Sequence, residues 1–227
     1  MKKLLCGLAG ALVTLSMHGQ VIAQWNFESL TLSPSVTNAT SLFNVPAEVG
    51  SGTASGSHAA STTYSTPSGN GSVKSISVNT WAVGDYWQFQ VSTVGFQNIS
   101  LSYDQTSSNT GPGKNTLQYS TDGTTFTAFD GEYTILPNAA PNAWTSLTYN
   151  PLFTFTYDLS SITALNNASS VYFRLLDSST TSANLGTVAP TGTDRVDNFT
   201  VGVVPEPASG LLLVLGLLGW NLIRRKS

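Results

Sequence analysis

Tyr86-Trp87-Gln88-Phe89-Gln90-Val91 decides the fold: large apolar side chains stand at 87, 89 and 91, and polar or amphipathic ones at 86, 88 and 90. Strict alternation sends successive side chains to opposite faces of a strand, so the run predicts a sheet with one buried and one wet face. Outward from it, Ile99, Leu101 and Tyr103 alternate with serines, and Phe153, Phe155, Tyr157 and Leu159 alternate with Thr154, Thr156 and Asp158. Val171, Phe173 and Leu175 repeat the pattern, as do Phe199, Val201 and Val203. Leu117 and Tyr119 lead into Thr121-Asp122-Gly123-Thr124 and then Phe126, a strand, turn and strand in which glycine supplies the positive φ of a tight hairpin. Trp25-Asn26-Phe27 reads as a first strand, placed to pair with the last one. Many short strands and turn-rich connections, with no helical periodicity between the two ends, predict an all-β fold: an antiparallel, jelly-roll-like β-sandwich.

Both ends of the chain read as addresses. Met1-Lys2-Lys3 is a basic start, Leu4 to Leu15 is apolar, and Val21-Ile22-Ala23 puts compact residues at −3 and −1, so a signal peptide over 1–23 with cleavage after Ala23 is expected, exported through the Sec machinery. At the other end Pro205-Glu206-Pro207 precedes the apolar run 208–223 and the basic cluster Arg224, Arg225 and Lys226. Sixteen residues of helix reach about 24 Å, slightly short of a hydrocarbon core of roughly 30 Å, so the run is read as a membrane helix that thins the bilayer or snorkels its flanking residues. The basic cluster stays cytoplasmic, which leaves everything upstream outside the inner membrane.

The order of motif, apolar helix and basic tail over 205–227, with its literal Pro-Glu-Pro, strongly resembles the PEP-CTERM sorting signal of Gram-negative bacterial surface proteins. That resemblance implies a membrane-embedded exosortase as partner, cutting near Pro205-Glu206-Pro207 and passing on a surface or extracellular product. A second resemblance covers most of 79–203. Asn79-Thr80-Trp81-Ala82-Val83-Gly84-Asp85-Tyr86-Trp87, Tyr119-Ser120-Thr121-Asp122-Gly123, Val171-Tyr172-Phe173-Arg174-Leu175 and Arg195-Val196-Asp197-Asn198-Phe199 look like an extracellular domain found in many such proteins. Its motifs are turns, core aromatics and a strand-borne arginine, so it implies fold more than function.

Between the signals, 24–204 is long enough for one domain with a sizeable core. It holds four basic residues (Lys74, Lys114, Arg174, Arg195) against eleven acids, a formal charge of −7, which argues against nucleic acid as a partner. The single cysteine, Cys6, lies in the signal, so disulfides, thiolate zinc sites and thiol nucleophiles are excluded from the mature chain. Residues 51–71, mostly Ser, Thr and Gly, read as a loop or linker; 137–151 and 178–193 read as irregular crossings.

Chemistry is sparse. His58 is the one histidine outside the signal and no Gly-x-Ser-x-Gly elbow accompanies it, so an ordinary loop or edge residue is the stronger reading than a catalytic base. Paired carboxylates for glycoside hydrolysis are not ruled out by composition, although Asp104, Asp122 and Glu132 each have a turn or strand-end explanation. Asp194 and Asp197 flank Arg195, and a local ion pair with Arg174 or Arg195 is favoured over a metal; Ca2+ is the one inorganic ligand considered, with no DxDxDG-like spacing to support it. Trp81, Tyr86, Tyr133 and Trp144 lie beside polar residues suited to a sugar platform, and the competing reading is that these rings fill the core. The sequence therefore predicts a non-enzymatic cell-envelope or extracellular-matrix protein. A carbohydrate-binding module for exopolysaccharide is the alternative, and a carboxylate-dependent hydrolase the third reading.

Overall fold

A computed structural model describes residues 19–32 and 36–204, and one compact unit spans Gln20–Val204. The expected sorting motif, basic cluster and membrane helix, and all but the last five residues of the expected signal peptide, lie outside the described residues. Along the chain run β1 (Val21–Trp25), β2 (Val36–Pro46), β3 (Val49–Gly50), β4 (Gly52–Ser65), β5 (Ile76–Asn79) and β6 (Tyr86–Val91). Then follow β7 (Ile99–Ser107), β8 (Lys114–Ser120), β9 (Thr127–Thr134), β10 (Thr154–Asp158), β11 (Val171–Asp177) and β12 (Thr193–Val203). Two single-turn 3-10 helices, Pro151–Phe153 and Thr163–Leu165, are the only helical segments among the described residues.

Every strand pair is antiparallel, and the order β10-β7-β12-β5-β4-β6-β11-β8-β9 is joined by β1 beside β12, by β3 beside β1 and by β2 beside β4. β5 pairs with both β12 and β4, so one continuous sheet folds over on itself. The rings that meet across the fold show which strands face each other. Trp25 of β1 stands edge-on to Phe89 of β6, with centroids 5.3 Å apart, and Phe89 stacks on Phe199 of β12. Phe173 of β11 approaches Phe199 at 6.5 Å. The result is an all-β, sandwich-like antiparallel sheet whose core mixes aromatic rings with Val, Ile and Leu side chains, each large buried side chain contributing roughly 1.5–3 kcal/mol.

The alternation read in the sequence is the burial pattern observed: Trp87, Phe89 and Val91 are buried while Tyr86, Gln88 and Gln90 are half-exposed. The first strand does pair with the last, Trp25 opposite Phe199, but it begins at Val21 and ends at Trp25, before Asn26 and Phe27. The Asp122-Gly123 connection is longer than a two-residue hairpin. Asp122 Oδ1 accepts the backbone N–H groups of Thr124 (2.8 Å) and Thr125 (2.7 Å), and these bonds hold its carboxyl well below the usual carboxylate range.

One expectation is overturned. Residues 51–71, read as a loop or linker, contain the 14-residue strand β4, which lies between β2 and β6. Its inward positions Ala54 and Gly56 are small because rings fill the space: a Cβ on Gly56 would lie 2.8 Å from the hydroxyl of Tyr64, further along the same strand, and 3.3 Å from the Trp87 ring of β6. Thr53, Ser55 and Ser57 face the other way, half-exposed. Linker-like composition here conceals a period of two, small side chains inward and hydroxyls outward.

Candidate functional site

Register turns that second face into ordered rows. Ser55, Gln88, Arg174 and Gln118 stand opposite one another across β4, β6, β11 and β8; Ser57, Tyr86, Leu176 and Thr116 form the row on one side, and Thr53, Gln90, Tyr172 and Ser120 the row on the other. Because side chains alternate across each strand, these are the partners of the buried Ala54, Trp87, Phe89, Phe173 and Leu175, turned to the other face, where Ser120 alone is covered and bonded to Asp122. β2 adds Thr40, Ser41 and Asn44 at the rim, and the concavity between them measures about 340 Å3. Hydroxyls and carboxamides, with one tyrosine ring, line it, and Gly56 and the buried His58 of β4 lie at its floor.

Arg174 organises the middle of the face. Its Nε donates to Gln88 Oε1 at 2.8 Å, and its guanidinium lies 3.9 Å from the centroid of Tyr86 and 3.5 Å from that of Phe126. Desolvation lowers its pKa, the Tyr86 hydroxyl opposing that shift. The ring-clamped cation fixes both Gln88 and Tyr86, so that amide and ring are held in place before any ligand arrives. Apart from the His58–Asp85 hydrogen-bonded pair, Lys114–Glu132 is the only side-chain salt bridge among the described residues, so neither Arg174 nor Arg195 makes the pairing expected with Asp194 or Asp197.

The four rings of the expected sugar platform are not brought together. Trp81 is 6% exposed and donates its indole N–H to Val78 O at 3.0 Å; Trp144 is 3% exposed, donates to Ser68 O at 2.7 Å and stands edge-on to Phe153. Tyr133 is half-buried and donates to Gln105 Oε1 at 2.7 Å, and burial pushes its pKa well up. Tyr86 alone lines the concavity. A tryptophan whose indole N–H is satisfied by a backbone carbonyl serves as a core residue. Gln88, Gln90 and Ser55 were not singled out in the sequence, although they are the polar half of the alternation that decides the fold.

The acids act mainly as acceptors inside the protein. Asp194 accepts from Trp87 Nε1 (2.7 Å), Gln105 Nε2 (3.0 Å) and Ser107 Oγ (3.2 Å). Asp197 accepts from Ser72 Oγ (2.5 Å) and from the N–H groups of Asn70 (2.9 Å) and Asn198 (2.8 Å). Burial pushes each carboxyl up to about 7 against these bonds. Among the described residues no three of His, Cys, Asp and Glu are grouped to hold a metal ion. His58, on β4 instead of in a loop, is buried with Nδ1 3.0 Å from Asp85 Oδ2. That pair has the geometry of the His–Asp half of a hydrolase triad, but Nε2 is buried without a hydrogen-bond partner and the ring packs on Trp81 at 4.5 Å. The pair ties β4 to the turn before β6, because Asp85 also accepts from the N–H groups of Ala59 and Ala82.

The chain runs from the end of β12 directly into residues 203–226, which match the PEP-CTERM protein-sorting motif. The chain carries a PEP-CTERM sorting signal. The PEP-CTERM match confirms the resemblance read from Pro205-Glu206-Pro207 and concerns delivery, since the polar face lies wholly upstream of it. Among the described residues no helix is long and apolar enough to cross a membrane, and the apolar run 208–223 lies outside them. No curated protein matches the chain in sequence. Among solved structures it is similar to the CBM22-2 xylan-binding domain from Paenibacillus barcinonensis Xyn10C, at 11% identity over 81% of this chain and 99% of that one, TM-score 0.42. It is similar to TmCBM61 in complex with β-1,4-galactotriose, at 9% identity over 79% and 94%, TM-score 0.36. The K3 cleaved adhesin domain of Lys-gingipain from Porphyromonas gingivalis W83 matches at 13% identity over 80% and 99%, TM-score 0.39. Likeness at this level carries no argument about ligand or activity.

Proposed function

We propose that the protein is exported, processed by an exosortase-like enzyme near Pro205-Glu206-Pro207, and displayed or released as a non-catalytic cell-envelope or matrix protein whose jelly-roll-like sandwich binds polysaccharide on its polar face. The observation that carries the binding reading is the set Ser55, Ser57, Gln88 and Gln90, hydroxyl and amide donors and acceptors lining a groove of about 340 Å3, with Gln88 held from the neighbouring strand by Arg174. Sugar hydroxyls pair well with such groups, and Tyr86 supplies a ring edge beside them. The hydrolase reading has the weaker support, because Asp194 and Asp197 are buried and engaged by protein donors.

Two measurements test this. Mature protein from wild-type cells, run in native gels containing the cells' own exopolysaccharide, is expected to be retarded relative to gels without it; unchanged migration would reduce the reading to a purely structural matrix protein. Intact mass from wild-type and exosortase-deficient cells is expected to differ by loss of the C-terminal signal in the former. Identical masses would remove the processing step.

A further inference from the structure

Val21-Ile22-Ala23 satisfies the −3 and −1 rule for signal cleavage, and the same three residues are the first three of β1. A cut after Ala23 would remove them from the fold. All three take part in the fold, Val21 by pairing with Gly202 although its side chain is exposed. Ala23 is 0% exposed, opposite Val201 on one side and Gly50 on the other, and Ile22 is buried beside it. The backbone one step earlier is engaged as well: Val203 donates its N–H to Gln20 O at 3.0 Å.

Two glycines are shaped around this segment. Gly50 has φ +73°, and a Cβ there would stand 1.9 Å from Ile22 O; a Cβ on Gly202 would stand 2.9 Å from Gln20 O. Without 20–23, those close approaches have no purpose and the outer edge of β12 from Val201 to Val203 loses its partner. The new α-ammonium would sit at Gln24, inside the strand, opposite Thr200 and Val49 and one residue from the fully buried Trp25. The neighbouring carboxylate, that of Glu48, already accepts from the Asn26 N–H and the Ser29 hydroxyl. The compact unit itself begins at Gln20.

We propose that signal cleavage falls at or upstream of the Gly19–Gln20 bond, so that the mature protein keeps Gln20-Val21-Ile22-Ala23 as the start of its first strand. Small residues for recognition are present there: Gly19 at −1 of that bond, or Thr14 and Ser16 at −3 and −1 of the bond after Ser16. Val-Ile-Ala then matches the cleavage pattern because small and β-branched residues also suit a buried strand between two neighbours.

Top-down mass spectrometry of the protein recovered from the producing cells reads the first residue independently of C-terminal processing. The expected first residue is Gln20 or one of the residues 17–19. A chain beginning at Gln24 or anywhere else after Gln20, or one retaining Met1, overturns the proposal.

Discussion

Trp87 and Gln88 are neighbours in one strand and belong to different parts of the molecule. Trp87 points inward, 1% exposed, its indole N–H on Asp194 and its ring against Tyr64 and Trp81. Gln88 points outward and meets Arg174 and the opening of the concavity. The same contrast holds along β4 and β11, so one layer of strands presents a ring-filled face that makes the fold and an amide- and hydroxyl-lined face that the fold does not need. Residues with no structural necessity, yet ordered in rows and pinned by a ring-clamped arginine, are the ones for which recognition is the economical explanation.

The largest effect should come from the inner face. Phe89→Ala removes a ring stacked on Phe199 and packed on Trp25, and should cost about 3–5 kcal/mol of stability. Trp81→Ala and Trp144→Ala should fall on the same scale, read as a lowered thermal midpoint. If either variant kept the wild-type midpoint while losing polysaccharide, the boundary between the two faces would be drawn in the wrong place.

Next comes Tyr86→Ala on the outer face. Loss of the ring edge beside Gln88, and of the surface that holds the Arg174 guanidinium, should weaken polysaccharide binding by roughly 1 kcal/mol, the scale of one hydrogen-bonding contact. Stability should change by less than about 1 kcal/mol, since Tyr86 is half-exposed and Arg174 retains Phe126. Equal losses of stability and binding would make Tyr86 a core residue in disguise.

A smaller effect concerns pH. Asp194 and Asp197 have folded-state values raised to about 7, above the ordinary carboxylate value of about 3.9 expected when unfolded. A raised folded value means that the folded protein holds the proton more tightly, so this contribution is fully present below about pH 4 and is lost as pH rises through about 7. The thermal midpoint should therefore fall from pH 5 to pH 8, with a slope of at most about 1.4 kcal/mol per pH unit for each carboxyl. A midpoint that rose over that range would mean both groups are held as carboxylates by their hydrogen bonds. Salt should matter little to binding: from low to high salt the affinity should change less than about two-fold, because hydroxyls and carboxamides line the groove and His58 is buried beneath them.

Much of the inner face was legible in the sequence. Large apolar residues at every second position of β6, β7, β11 and β12 announce buried strand faces without any knowledge of neighbours. β4 was not legible, because the smallness of Ala54 and Gly56 is explained by rings that only the fold brings over them, Tyr64 of the same strand and Trp87 of β6. The same limit misdirected the expected platform, since the exposure of Trp81 and Trp144 depends on carbonyls at Val78 and Ser68 and not on adjacent polarity. The outer face was half legible: Gln88 and Gln90 are visible as the polar beat of the alternation, but only the register of β4, β8 and β11 makes them a site. Val21-Ile22-Ala23 shows how one pattern of compact residues fits both the −3 and −1 rule and a buried strand.

The central claim is that the outer face binds and the inner face folds, and the double variant Gln88→Ala with Gln90→Ala tests it most directly. Polysaccharide retention in native affinity gels and the thermal midpoint should be measured on the same preparation. The account predicts retention lowered about tenfold or more with the midpoint within about 4 °C of wild type, the shift that roughly 1 kcal/mol produces in a domain of this size. Retention equal to wild type, with the fold intact, would contradict it.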